Sequence, residues 1–227
     1  HVFSQPSTSY PGARRAVKAL IKVGYGCNEH CTFCHTLDVR GIQGSSAEVE
    51  AKIRRAAELF RAAEPPQDPA TGSTGTPGMI VLSGGEPTIR PELLRWADLV
   101  ASLGMDLGLV TNGLLLAYPE RVDALVRRRL RYVYLSLHGG SARVHNLMVR
   151  TQAYDAALAA LQNLSGRGLD LHVNCVITRH NLAHLRGVVH DRRAAHLCRV
   201  SYAGIAAHLR MVPHPRPMAQ PRVVLHL

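Results

Sequence analysis

The chain has 227 residues, 46% of them hydrophobic and 19% charged, a globular balance with enough length for a sizeable core. No apolar run approaches the roughly 18 residues of a membrane-spanning helix, which excludes a helical membrane span, and five cysteines in this length exclude a disulfide-dense miniprotein. The net charge is +11, but residues 184–227 hold seven Arg against Asp191 alone. The excess basicity is concentrated in the tail, which argues against a nucleic-acid partner.

Residues 1–17 read as an N-terminal extension, and a core domain is expected over 18–205. Lys18 to Gly24 (KALIKVG) reads as a buried strand that runs straight into Cys27, Cys31 and Cys34. Ser45 or Ser46 can cap a helix reaching Ala63, with Glu48 and Glu50 in its first turn. Residues 64–78, with four Pro and three Gly, form a flexible insertion. Met79 to Ser83 is the second strand, and Pro91 opens a helix to about Leu103. Asp106 to Thr111 is the third strand, and Pro119 opens a helix ending near Arg129, where a run of arginines suits the helix dipole. Tyr132 to Leu137 is the fourth strand. A helix over 153–165, closed by Gly166 and Gly168, leads to a fifth strand, Leu171 to Thr178. A sixth candidate is Cys198 to Ile205, followed by an irregular basic tail over 206–227. Strand and helix alternate without hairpin signals. The fold class is α/β: a parallel sheet with right-handed crossovers, open or closed into a barrel.

Chemistry begins with the cysteines. Three thiols spaced C-x-x-x-C-x-x-C make a poor disulfide framework and a good metal loop. Three thiolates can hold three irons of a cubane and leave the fourth open to a small molecule. A zinc site with His30 or His35 as fourth ligand also fits, and Cys31 to His35 matches the C-x-x-C-H pattern of covalent haem. Cys175 and Cys198 read as core or incidental thiols. Three more motifs end strands, Ser83-Gly84-Gly85-Glu86-Pro87-Thr88, Thr111-Asn112-Gly113 and Ser136-Leu137-His138-Gly139, and Asn174 lies within the fifth strand. Alternation puts Tyr134, Ser136 and His138 on one face and Val133, Leu135 and Leu137 on the other. His172 and Asn174 likewise oppose Leu171, Val173 and Cys175. The polar sets face the sheet interior at the carboxyl ends, where a parallel sheet binds its ligands. Lys22, on the first strand just before the cysteines, suits either a position that snorkels to solvent or an interior one that binds an anionic substrate. His145 and Arg150 read as local loop anchors.

These motifs, in this order over residues 18–182, resemble the radical S-adenosylmethionine superfamily, in the branch of molybdenum-cofactor cyclases and of haem- and peptide-modifying enzymes. The resemblance implies a partial (βα)6 TIM-like barrel. It implies a 4Fe–4S cluster held by Cys27, Cys31 and Cys34, with S-adenosylmethionine on the open iron. Phe33 would lie by the adenine. Gly84, Gly85, Glu86 and Pro87 would meet the methionine part, with Glu86 near its amine. Ser136 would meet the ribose or carboxylate, and Thr111 and Asn174 complete the set. Reductive cleavage would then release a 5′-deoxyadenosyl radical that abstracts hydrogen from a peptide or a small cofactor precursor. The same resemblance implies a flavodoxin- or ferredoxin-like electron donor, and the oxygen sensitivity of an open-site cluster implies a cytoplasmic location. The rival reading is a non-catalytic or degenerate zinc or iron–sulfur module with a redox-sensing role.

Overall fold

The computed structural model describes residues 18–63, 78–184, 199–203 and 224–225. Seven strands form one sheet in chain order, every pair parallel. They are β1 (Lys18–Lys22), β2 (Met79–Ser83), β3 (Asp106–Thr111), β4 (Leu130–Ser136), β5 (Asp170–Val176), β6 (Arg199–Ala203) and the two-residue β7 (Val224–Leu225). Five helices lie between the first five strands: α1 (Ser46–Ala63), α2 (Leu93–Ser102), α3 (Pro119–Val126), α4 (Ala142–Val149) and α5 (Tyr154–Leu164). This is the expected α/β architecture, a partial barrel whose described strands do not close. The sixth strand falls within the expected span and pairs His172 with Arg199. The extension over 1–17, all but Gly78 of the 64–78 insertion, Cys198 and nearly all of the tail lie outside the described residues.

Local chemistry explains the element ends. Ser45 Oγ accepts from the Glu48 N–H at 3.2 Å while Glu48 Oε2 accepts from the Ser45 N–H at 2.9 Å, a reciprocal capping box for α1. Pro119 occupies the first turn of α3, where its missing N–H costs nothing. α4 goes beyond the expected elements; it is only eight residues long and lacks a side-chain cap of its own. Its Asn146 Oδ1 accepts from the N–H groups of Ala153 and Tyr154, both at 3.0 Å, and so caps the next helix.

The apolar face of each strand packs outward on the helices. Leu107, Leu109, Val133, Leu135 and Val173 are fully buried there, with Trp96 of α2 and Leu161 of α5. The opposite face is wetter at β1, where Leu20 is 60% exposed. Across that face Lys18 Nζ lies 3.6 Å from the centre of the Tyr132 ring, a cation–π contact spanning from β1 to β4. This division makes a direct test. Leu135→Ala should lower unfolding free energy by about 3 kcal/mol in a urea titration. Leu20→Ala should change it by less than about 0.5 kcal/mol. Equal losses would overturn the assignment of faces.

Candidate cofactor site

The carboxyl ends of β1 to β5 surround a cavity of about 380 Å³. Its lining includes Cys27, Cys31, Phe33 and Cys34 from the loop after β1, and Gly84 and Gly85 from the turn after β2. Thr111 and Asn112 come from the end of β3, Ser136 and His138 from β4 and its turn, and Asn174 from β5. Glu86 and Pro87 do not line it. The structure therefore brings together nine of the eleven expected site residues.

The cysteine loop is held from two sides. Below it, the His30 N–H donates to Val149 O at 2.9 Å and the Thr32 N–H to Met148 O at 2.8 Å. These carbonyls end α4 and have no helical partner of their own. Cys31 and Phe33 pack on Met148, Val149 and Ala153 at the same place. Beside it runs the glycine turn. The Gly85 N–H donates to Gly24 O at 2.9 Å and the Glu86 N–H to Gly26 O at 2.8 Å. A Cβ on Gly85 would overlap the carbonyl oxygens of Tyr25 and Gly26, so only glycine allows this approach. Arg90 completes the frame, donating to Val23 O at 2.5 Å and Gly44 O at 3.1 Å.

Glu86 has a different place from the one the motif suggests. It is buried, and its carboxylate is turned into the protein. Oε1 accepts from the Thr88 N–H at 2.9 Å, from Thr88 Oγ1 at 2.6 Å and from Thr111 Oγ1 at 2.7 Å. Oε2 accepts from the Asn112 N–H at 2.7 Å. Asn112 in turn donates through Nδ2 to Asn28 Oδ1 at 2.7 Å, inside the cysteine loop. Burial pushes the Glu86 carboxyl above its ordinary range, and the donors from Thr88, Asn112 and Thr111 pull it back. Glu86 thus joins the ends of β2 and β3.

The charged groups facing the cavity are others. Glu29 is buried, with Oε1 unpartnered, and accepts from Cys31 Sγ at 3.6 Å. Burial pushes its carboxyl up to about 7, opposed by the hydrogen bonds from Cys31 and Asn112 and reinforced by the nearby charge of Glu86. Arg40 lines the same cavity, with Nε and Nη2 buried and unpartnered. Neither residue has a motif signal; each is one charge in or just beyond a cysteine loop. The thiols differ. Burial raises Cys27 and, further, Cys31, to which the charge of Glu29 adds. At Cys34 burial is outweighed by hydrogen bonds from Thr36 and by the Arg40 guanidinium, and its thiol lies below the usual value.

The donor set suits an iron–sulfur cluster. Three free thiols share one wall, backed by carbonyl-anchored backbone, with orphaned polar atoms left for a second ligand. Among the described residues no three His, Cys, Asp or Glu side chains close on one metal-sized point; a cubane makes no such demand, since each thiolate binds its own iron. Thiol ligands must lose their protons, so loading Cys27 and Cys31 releases them to solvent.

Two predictions follow from this geometry. Glutamine at position 86 offers one acceptor oxygen where the site supplies donors to two, so Glu86→Gln should cost about 3 kcal/mol of stability in the cluster-free protein. An unchanged urea midpoint would remove Glu86 from its structural role. The second concerns His138 and His145. Burial, with the His145 ring adding to it, pushes His138 down to about 3, and burial pushes His145 down to about 4. Both stay neutral when folded, whereas the unfolded chain takes up a proton on each near pH 6.5. Their contribution is complete above that pH and is lost as pH falls toward 4. The loss should reach about 2 kcal/mol per histidine at pH 5. His145→Gln should remove its share of that fall in denaturation measured at pH 7.5 and 5.0.

Comparison with known proteins gives the family. The family model of the Radical SAM superfamily matches residues 21–191. The chain is 29% identical over 161 residues to the AdoMet-dependent heme synthase of Methanosarcina barkeri, covering 70% of this chain and 42% of that protein. It is 32% identical over 165 residues to the PqqA peptide cyclase of Streptomyces rochei, covering 72% and 41%. The chain thus spans under half the length of these curated relatives. Among solved structures, anSMEcpe with bound AdoMet and Cp18Cys peptide shares the fold with a TM-score of 0.60 at 19% identity, over 82% of this chain and 50% of that one. The match covers well over half of the sequence, and the chain belongs to the radical SAM superfamily of enzymes, whose cofactors are a 4Fe–4S cluster and S-adenosylmethionine.

Proposed function

We propose that Cys27, Cys31 and Cys34 hold the cluster, and that S-adenosylmethionine lies in the cavity against Phe33, Gly84, Gly85, Thr111, Ser136 and Asn174, for a reaction on a peptide. The observation that carries this reading is convergence: residues from five strand ends, more than 140 positions apart in the chain, line one cavity. When bound, the cofactors supply one-electron cleavage of the sulfonium and a radical that abstracts hydrogen. The protein's own residues bind, orient and exclude water. Gly84 and Gly85 let the turn after β2 close on the backbone of Gly24 to Gly26 at the cavity wall, Phe33 gives an apolar wall, and Ser136 and Asn174 offer polar contacts. Glu86 acts at one remove, by fixing Thr111 and Asn112. The peptide class rests on relatives: one is named a peptide cyclase, and one structural neighbour holds a peptide.

No helix among the described residues is long and apolar enough to cross a membrane. The reading places the enzyme in the cytoplasm, served by a flavodoxin- or ferredoxin-like electron donor, because a cluster with an open iron needs reducing, oxygen-poor surroundings.

The test is anaerobic reconstitution with iron and sulfide, then incubation with dithionite and S-adenosylmethionine. Four irons per chain and formation of 5′-deoxyadenosine are expected, with more product when the right peptide is added to the panel. Cys27→Ala, Cys31→Ala and Cys34→Ala should each lose both cluster and product, while Cys175→Ala keeps them. Stoichiometric zinc with no cluster would establish the rival metal-module reading. Stimulation by a small cofactor precursor and by no peptide would overturn the substrate class alone.

A further inference from the structure

We propose that Arg40 tunes the reduction potential of the cluster, its guanidinium N–H groups donating to sulfur on the Cys34 side of the cubane and making reduction easier. The proposal rests on the reading that Cys27, Cys31 and Cys34 hold a 4Fe–4S cluster.

The backbone carries Arg40 back over the cysteines. It follows a short 3-10 turn, Leu37–Val39. The Val39 N–H donates to Thr36 O at 3.2 Å and the Ile42 N–H to Val39 O at 2.9 Å. Ile42 O in turn accepts from the Tyr25 N–H at 2.9 Å, between β1 and Cys27. Arg40 is thus held between the third cysteine and the segment that leads into the first. It lines the cavity together with all three thiols, and among the described residues it is the only arginine or lysine that does. Its Nε and Nη2 are buried and have no partner. An arginine kept for structure engages its fork with a carboxylate and with carbonyls, as Arg90 does with Glu92, Val23 O and Gly44 O. Arg40 instead leaves N–H groups open at the cavity wall.

The surroundings of the thiols are unequal. The Arg40 guanidinium acts on Cys34 by a hydrogen bond and by its charge, and Thr36 Oγ1 lies 3.3 Å from the same sulfur. Cys31 instead faces the Glu29 carboxylate at 3.6 Å. A cubane held by three thiolates is already anionic. Reduction adds one electron from the donor, and no bond forms or breaks. N–H donors to sulfur and a nearby cation favour the reduced form, and a carboxylate opposes it. Arginine keeps its charge at any working pH. The added electron is therefore stabilised on the Cys34 side. A carboxylate on a bound ligand would engage the same N–H groups, and the experiment separates that clamp from the tuning role.

The test is a redox titration with dithionite, followed by EPR, on the cluster-loaded protein without S-adenosylmethionine. Arg40→Met keeps an unbranched side chain and removes the charge and the donors. At a fixed potential its ratio of reduced to oxidised cluster should fall about tenfold, a midpoint about 59 mV lower for one electron. Arg40→Lys keeps the charge without the fork and should recover part of the shift. Iron and sulfide content should match the unsubstituted protein in both. An unchanged midpoint in Arg40→Met at full iron content would overturn the proposal, and weaker S-adenosylmethionine binding in that same variant would make Arg40 the carboxylate clamp instead. Loss of the cluster from both variants would also overturn it, by making Arg40 a residue of cluster assembly. In each of these cases the cofactor reading stands. An unsubstituted protein that assembles no cluster would overturn both.

Discussion

One buried carboxylate organises the binding end of this sheet. Glu86 leaves β2 and receives hydrogen bonds from Thr88 next to it and from Thr111 and Asn112 at the end of β3. A carboxylate away from water is tolerated only when its lone pairs are met, and here both oxygens accept. The consequence is positional. Thr111 also accepts from the Gly113 N–H at 3.0 Å, and Asn112 Oδ1 from the Leu114 N–H at 3.2 Å. The turn after β3 is therefore built on groups that Glu86 has already fixed. Through Asn112 Nδ2 the same chain of contacts reaches Asn28 between the first two cysteines.

The cysteine loop itself has little regular structure, and its order is borrowed. It takes backbone acceptors from the end of α4, which stops at Arg150 in a left-handed conformation (φ 52°) and so leaves the carbonyls of Met148 and Val149 free. It takes close packing from the glycine turn. A loop supported by a helix end and a strand end can present three thiols rigidly without a hydrophobic core of its own. The sheet beneath supplies that core through its outer face, leaving the inner face free for polar residues.

The cavity carries groups that the protein does not satisfy internally: one oxygen of Glu29 and two nitrogens of Arg40. Each lowers the stability of the empty protein and each becomes useful when a ligand supplies the missing partner. The helical side differs: Trp96, Leu109 and Leu135 belong to one apolar cluster, and the Trp96 indole N–H is met by Ser46 Oγ at 3.0 Å. The buried histidines add a pH cost of the same origin, because neutral rings must charge when the chain unfolds in acid.

The spacing of Cys27, Cys31 and Cys34, the alternation of Tyr134 and Ser136 against Val133 and Leu135, and the glycines at 84 and 85 are properties of near neighbours in the chain. The sequence by itself therefore determined the parallel α/β plan, the inward faces, and most of the residues around the cavity. The direction of the Glu86 side chain was not legible, because its partners Thr111 and Asn112 lie 25 and 26 positions away and meet it only through the register of β2 on β3. Nor were Glu29 and Arg40, whose buried atoms come together only where the folded loop lines the cavity. Those features belong to the tertiary structure alone, since burial and hydrogen-bond pairing between distant segments exist only once the sheet has brought them together.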